Sequence, residues 1–162
     1  MSGQDWLGGD VTISAIECWR LSQKGVFAYA TTIPNGPGPT PHISQQYLGI
    51  DDAVARLTLV FRFAAKLSEK AFDPNDGTVE ITIRWTGIFG LPLYLDTGFL
   101  RGSYQSNAPE LENTWRCPGE ALRADPEKFA RTAALWFFER FNWQYVSEEL
   151  VAQFQKGILP YI

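Results

Sequence analysis

The sequence predicts an α+β fold, with a small mostly antiparallel sheet, two long helices packed on one face of it, and an N-terminal hairpin. Three observations carry this. Thr78–Thr86 alternates between apolar and polar residues without a break. Residues 51–72 and 126–145 repeat apolar side chains every three or four positions. The first thirty-odd residues alternate around a turn at Ser22–Gly25. The chain has 162 residues, which suits a single domain over 1–162 that buries roughly two-thirds of its unfolded surface. Within it the sequence marks a hairpin arm at 10–33, a Pro/Gly-rich connection at 34–46 and a main core at 47–162.

Residues 1–9 read as a frayed start. In the hairpin, Val11 and Ile13 share one face, and Phe27 and Tyr29 alternate in the returning arm. Gly25 is free to take positive φ in the turn. Ala15, Ile16, Cys18 and Trp19 break the alternation, as a bulge or a largely buried strand does. Four of the ten prolines fall in Pro34–Pro41. That density removes backbone donors and marks a loop with polyproline II character.

Residues 51–72 read as the first long helix. Asp51 or Asp52 caps it and favours the positive end of its dipole. Ala53, Leu57, Val60, Ala64, Leu67 and Ala71 form the apolar stripe, widened by Val54, Phe61 and Ala65. A helix this apolar needs cover on more than one side. Asp73-Pro-Asn-Asp-Gly77 stops it.

In the strand Thr78–Thr86, Val79, Ile81, Ile83 and Trp85 face one way. Thr78, Glu80, Thr82, Arg84 and Thr86 face the other, so one side lies on the core and one is wet. After Gly87 and Gly90, Leu91, Leu93 and Leu95 read as a further strand antiparallel to it. Asp96–Pro109 reads as loop, and Glu112–Cys117 as a short strand stopped by Pro118-Gly119. Asp125-Pro-Glu127 is a strong helix start. That helix runs to about Tyr145, with Asn142 as a candidate interruption. Ser147 caps a last helix over 148–156, with Gly157 past its end.

The composition excludes many chemistries. A single histidine, His42, in an irregular loop supplies no triad. Cys18 and Cys117 form no disulfide framework, and they leave too few ligands for zinc. No metal or cofactor is expected. Asp73, Asn75 and Asp76 lack the further ligands of a calcium loop. No glycine-rich phosphate loop is present. No apolar run is long enough to span a bilayer and no signal peptide opens the chain, so a cytoplasmic protein without membrane contact is expected.

Three groups of residues remain. Glu80, Asp96 and Glu112 are the acids of a carboxylate-dependent hydrolase acting on a phosphate or sugar ester, if they converge across a pocket. Arg56, Arg62 and Lys66 on the first helix, with Arg84, Arg116, Arg123 and Arg131, supply charge for an acidic partner or for nucleic acid in a defence or regulatory context. The net charge of −4 disfavours nucleic acid. Trp19, Trp115 and Trp143 sit off the clean core stripes and are candidate contact residues, together with Arg56, Arg62 and Arg84.

Val79–Leu93, VEITIRWTGIFGLPL, and Phe137–Trp143, FFERFNW, resemble the C-terminal accessory region of bacterial proteins with a Schlafen/AlbA-type DNA-binding domain. The resemblance covers roughly residues 48–145. The glycine-rich signature of the AlbA-type domain itself is absent here, so its nucleic-acid function does not carry over. The resemblance implies a non-catalytic interaction, sensor or oligomerisation domain of a bacterial cytoplasmic protein. Its partner would be another protein or a second copy forming a dimer. The wide apolar faces of both long helices point the same way.

Overall fold

A computed structural model describes residues 6–12, 16–22, 26–31, 47–71, 77–95 and 104–161 of the chain. The chain divides into two compact units, Met1–Gly36 and Pro37–Ile162. The division falls inside the Pro/Gly-rich segment at 34–46.

The first unit is an antiparallel meander of β1 (Trp6–Thr12), β2 (Ile16–Ser22) and β3 (Phe27–Thr31) in that order. Its register sets Gly9 against Trp19 and Trp19 against Tyr29. The expected frayed start is therefore strand from Trp6 onward, and the first arm of the expected hairpin is two strands. The irregular patterning before Trp19 marks the change from β1 to β2. Ile13, Ala15 and the turn residues Gln23–Gly25 lie outside the described residues, as do Pro34–Pro41, His42, Asp73, Asn75 and Asp76.

The second unit is mixed α and β. Its strands are β4 (Leu48–Gly49), β5 (Thr78–Thr86), β6 (Leu93–Tyr94) and β7 (Glu110–Pro118). Its helices are α1 (Ile50–Ala71), α2 (Gly119–Ala124), α3 (Pro126–Glu139) and α4 (Glu148–Ile158), followed by a 3₁₀ turn at Leu159–Tyr161. The expected single sheet is resolved into separate pairings. β5 and β7 form an antiparallel ribbon, while β4 and β6 pair parallel over two residues. The strand expected at 91–95 thus does not continue the ladder of β5. Gly87 and Gly90, at φ 71° and 67°, turn the chain away, and the nine-residue β7 matches β5 residue for residue.

Both long helices cover the apolar row of this ribbon. Ile81 faces Trp115, Trp85 faces Leu111, and Val79 faces Cys117 across the ladder. Phe61 of α1 meets the Trp115 ring edge-on at 5.9 Å, and Trp136 of α3 meets it from another side at 5.5 Å. Phe137 of α3 packs on Trp85 at 4.4 Å. Phe61, Phe137, Phe138 and Phe141 are fully buried with Leu57, Ile50 and Leu122 around them.

A buried polar knot ties α4 to this core. Gln155 is 2% exposed. Its Nε2 donates to Thr58 Oγ1 of α1 at 3.0 Å and to the Glu127 carbonyl of α3 at 3.2 Å. Its Oε1 accepts from Arg131 at 3.0 Å. Both amide protons and the amide oxygen thus have partners, as burial requires.

Helix ends follow their capping residues where these are strong. Asp125 Oδ1 accepts from the Lys128 amide at 2.9 Å, with Pro126 at the first helical position. Ser147 Oγ accepts from the Leu150 amide at 3.2 Å. The backbone N–H of Glu149 and the Ser147 hydroxyl hold the Glu149 carboxyl below its ordinary range. Three expectations are corrected here. α3 stops at Glu139, because the chain reverses through Asn142 at φ 63°, and asparagine tolerates that backbone well. Gly157 lies inside α4. Residues 119–124 form a helix where Pro118-Gly119 read only as a stop. A Cβ at Gly119 would stand 3.1 Å from the flexible end of Arg123 and at ordinary contact distance, 3.4 Å, from the Gly77 carbonyl.

Phe137→Ala is expected to cost about 3–5 kcal/mol, read as a lower urea midpoint. Asp125→Ala is expected to cost about 1 kcal/mol through the lost cap. A Phe137→Ala loss no larger than the Asp125→Ala loss would remove Phe137 from the centre of the core.

Candidate functional site: an edge-exposed β-ribbon

The ribbon's two faces have opposite characters because side chains alternate along a strand. The inward row is apolar except for Asn113, which stands opposite Ile83. The outward row of β5 is Thr78, Glu80, Thr82, Arg84 and Thr86, and every one is exposed. Opposite them stand Pro118, Arg116, Thr114, Glu112 and Glu110.

These side chains pair across the ladder. Arg116 Nε donates to Glu80 Oε1 at 2.7 Å. The hydroxyls of Thr82 and Thr114 lie 2.7 Å apart. Arg84 Nη2 donates to Glu110 Oε2 at 2.7 Å, and its Nε stands 3.8 Å from Glu112. The Glu110 hydrogen bond and charge push the Arg84 guanidinium above its ordinary value. All four residues of the two shortest pairs have side chains at least half exposed, so water screens them. Such pairs select register more than they stabilise.

The backbone of the ribbon has a matching polarity. At one end the Gly119 amide donates to the Gly77 carbonyl at 3.0 Å, and at the other the Gly87 amide donates to the Pro109 carbonyl at 3.1 Å. Hydrogen-bonded pairs alternate with non-bonded pairs in an antiparallel ladder. Val79, Ile81, Ile83 and Trp85 therefore spend their backbone groups on β7. Thr78, Glu80, Thr82, Arg84 and Thr86 point theirs to the outer edge of β5. Among the described residues no backbone hydrogen bond reaches that edge.

The acids do not converge. Glu80 and Glu112 lie four residues apart along the ribbon, about 13 Å at the rise of a strand, and each faces an arginine. Asp96 lies outside the described residues. Among the described residues no cluster of three or more His, Cys, Asp or Glu is placed to hold a metal, and no helix is long and apolar enough to cross a membrane.

The basic residues are dispersed. Arg62 Nε stands 3.2 Å from Glu127. Arg131 meets Glu148 at 3.2 Å and Asp125 at 4.0 Å. Arg56 is half-buried on α1. The tryptophans separate too. Trp115 belongs to the inward row of the ribbon. Trp143 is 4% exposed and packs between Tyr104 and Phe138. Trp19 lies in β2 of the other unit. Sequence reasoning placed Glu80 and Arg84 on one wet row but read Glu112 only as the start of a separate short strand, so it missed that Glu110, Glu112, Thr114 and Arg116 complete the row. The odd-position run Leu111, Trp115, Cys117 carried the signal for that longer strand.

Cys117 is fully buried on the inward row, and burial pushes its thiol up. The unfolded chain ionises its thiol near about 8.5, so it loses that proton before the folded chain does. Stability present below about pH 8.5 is then lost as pH rises toward the higher folded value. Cys117→Ala should flatten this decline in urea midpoints measured from neutral to alkaline pH. Equal slopes for the two chains would count against it.

No protein-family model, curated protein or solved structure matches the chain.

Proposed function

We propose that this chain is a non-catalytic protein-interaction, sensor or oligomerisation domain of a bacterial cytoplasmic protein, and that its docking element is the outer edge of β5. The observation that carries this reading is the row of outward-pointing backbone groups along Thr78–Thr86, which meets no backbone partner among the described residues. Edge strands are blunted by proline, a bulge, an inward charge or charges on the edge itself. Over its nine residues β5 has no proline, bulge or inward charge, and its two edge charges, Glu80 and Arg84, are opposite in sign and already face Arg116 and Glu110. Such an edge accepts an added strand through main-chain hydrogen bonds. The accessory role implied by the resemblance at Val79–Leu93 and Phe137–Trp143 belongs to the same proposal.

A hydrolase draws no support from Glu80 and Glu112, which are far apart and ion-paired. A nucleic-acid binder draws none from arginines that face carboxylates on three different parts of the unit.

A photo-crosslinking amino acid at Thr86 tests the reading in cells, with Thr132 on the exposed side of α3 as the control position. The expected result is a discrete adduct from position 86 and none from 132. No adduct at 86, or equal labelling at both, would sink it.

A further inference from the structure

The order of residues along β5 is self-complementary about its midpoint. β5 spans Thr78–Thr86, so Thr82 is its central residue. Two positions before it stands Glu80, and two after it stands Arg84. Thr78 and Thr86 close the ends. Reversing the strand exchanges glutamate with arginine and threonine with threonine.

We infer that the partner of this edge is a second copy of the chain, joined through β5 in antiparallel register about a two-fold axis at Thr82. This rests on the interaction reading above and specifies its occupant. A two-fold contact is isologous, so the same patch must complement itself. In this register Glu80 faces Arg84 of the second copy and Arg84 faces its Glu80. Thr82 faces its own twin.

The backbone supports the same register. Thr78, Glu80, Thr82, Arg84 and Thr86 are the residues whose N–H and C=O groups point outward. All five form hydrogen-bonded pairs when Thr82 lies on the axis, giving about ten bonds across the seam. A shift along the strand leaves end residues unpaired and takes Glu80 away from Arg84. Full overlap and charge matching therefore select one alignment.

The inward row agrees as well. Ile81 would face Ile83 of the second copy, and Val79 would face its Trp85. Ile81 and Trp85 are buried already, at 7% and 8% exposure, whereas Val79 and Ile83 are only half-buried. Each residue left half-covered by its own unit thus meets a buried residue of the other. The product is a four-stranded sheet in the order β7, β5, β5, β7, with one polar face and one apolar face.

The other edge of the ribbon is less suited. Pro118 is among the outward-pointing residues of β7 and has no N–H to donate. Asn113 interrupts the inward row, where it would face Trp115 of a second copy. α2 begins directly after Pro118.

Charge reversal separates this arrangement from a merely structural role. Glu80→Arg alone sets two arginines against each other at both ends of the seam, and Arg84→Glu alone sets two glutamates. Each variant alone should weaken the dimer by about 10-fold or more, read by light scattering at two widely spaced concentrations. Mixing the two variants restores opposite charges at both positions and should restore a mixed dimer. A wild-type chain that stays monomeric at both concentrations overturns the inference, as does a mixture no more dimeric than its components.

Should a reversal fail to fold, Thr82→Cys decides. Paired strands bring twin positions on the axis to about 5.5 Å between Cα atoms, within disulfide reach. Under oxidation Thr82→Cys should give a covalent dimer. Thr78→Cys, whose twin lies at the far end of the seam, and the wild-type chain should not. No dimer from Thr82→Cys, or equal dimer from all three, overturns the inference. An adduct from Thr86 at the mass of another protein also overturns it, and leaves the interaction reading intact. No adduct at all removes both.

Discussion

A two-stranded ribbon does not hold itself together in water, and the second unit is organised around that constraint. β5 and β7 have one apolar row between them, and it must be covered. α1 and α3 do this from the same side, by placing Phe61 and Trp136 on Trp115 and Phe137 on Trp85. Once those rings fix which face is dry, the other properties follow. The opposite face has to be polar. The ladder's parity then decides which backbone groups face outward, and those groups belong to the polar residues.

The helices in turn are fixed by Gln155. Aromatic contacts tolerate small slides between helices. A buried amide does not, because moving it strands a donor or an acceptor. Gln155 reaches α1 through Thr58 and α3 through the Glu127 carbonyl, and Arg131 holds its oxygen. The core therefore combines an adaptable part, the rings on the ribbon, with a directional part, the knot under α4.

Elements set by local chemistry were legible in the sequence. The alternation of Thr78–Thr86 and the caps at Asp125 and Ser147 each act within a few residues, and each appears as read. The span of α1 was legible too, but its buried line runs through Val54, Leu57, Thr58, Phe61, Ala65 and Ser68, while Val60, Ala64 and Leu67 of the expected stripe are half-buried. Elements set by distant partners were not. The parallel pairing of Leu93–Tyr94 with Leu48–Gly49 joins segments more than forty residues apart, and no local pattern announces it. α2 was hidden because Pro118-Gly119 is as good a helix entry as a strand stop. α3 ended early because a single backbone reversal at Asn142 outweighed the apolar pattern running on through Phe141 and Trp143. The same division holds at the candidate site. The wet row of β5 could be read directly, whereas its partners on β7 and the direction of its backbone groups depend on register. Trp115 and Trp143 looked available because their helical or strand periodicity was broken; both are spent on packing.

The knot at Gln155 also bears on how the chain is made. Thr58 and Gln155 lie 97 residues apart. At the usual pace of synthesis, about 5–20 residues per second, the ribosome adds Gln155 roughly 5–20 s after Thr58. Through that interval α4 is still missing from its seat beside Thr58. The two strands of the ribbon are made closer together, since Thr114 follows Thr82 by only 32 residues. Their apolar row nevertheless waits for α3, which follows β7, so the ribbon stays unsupported until that helix has been made.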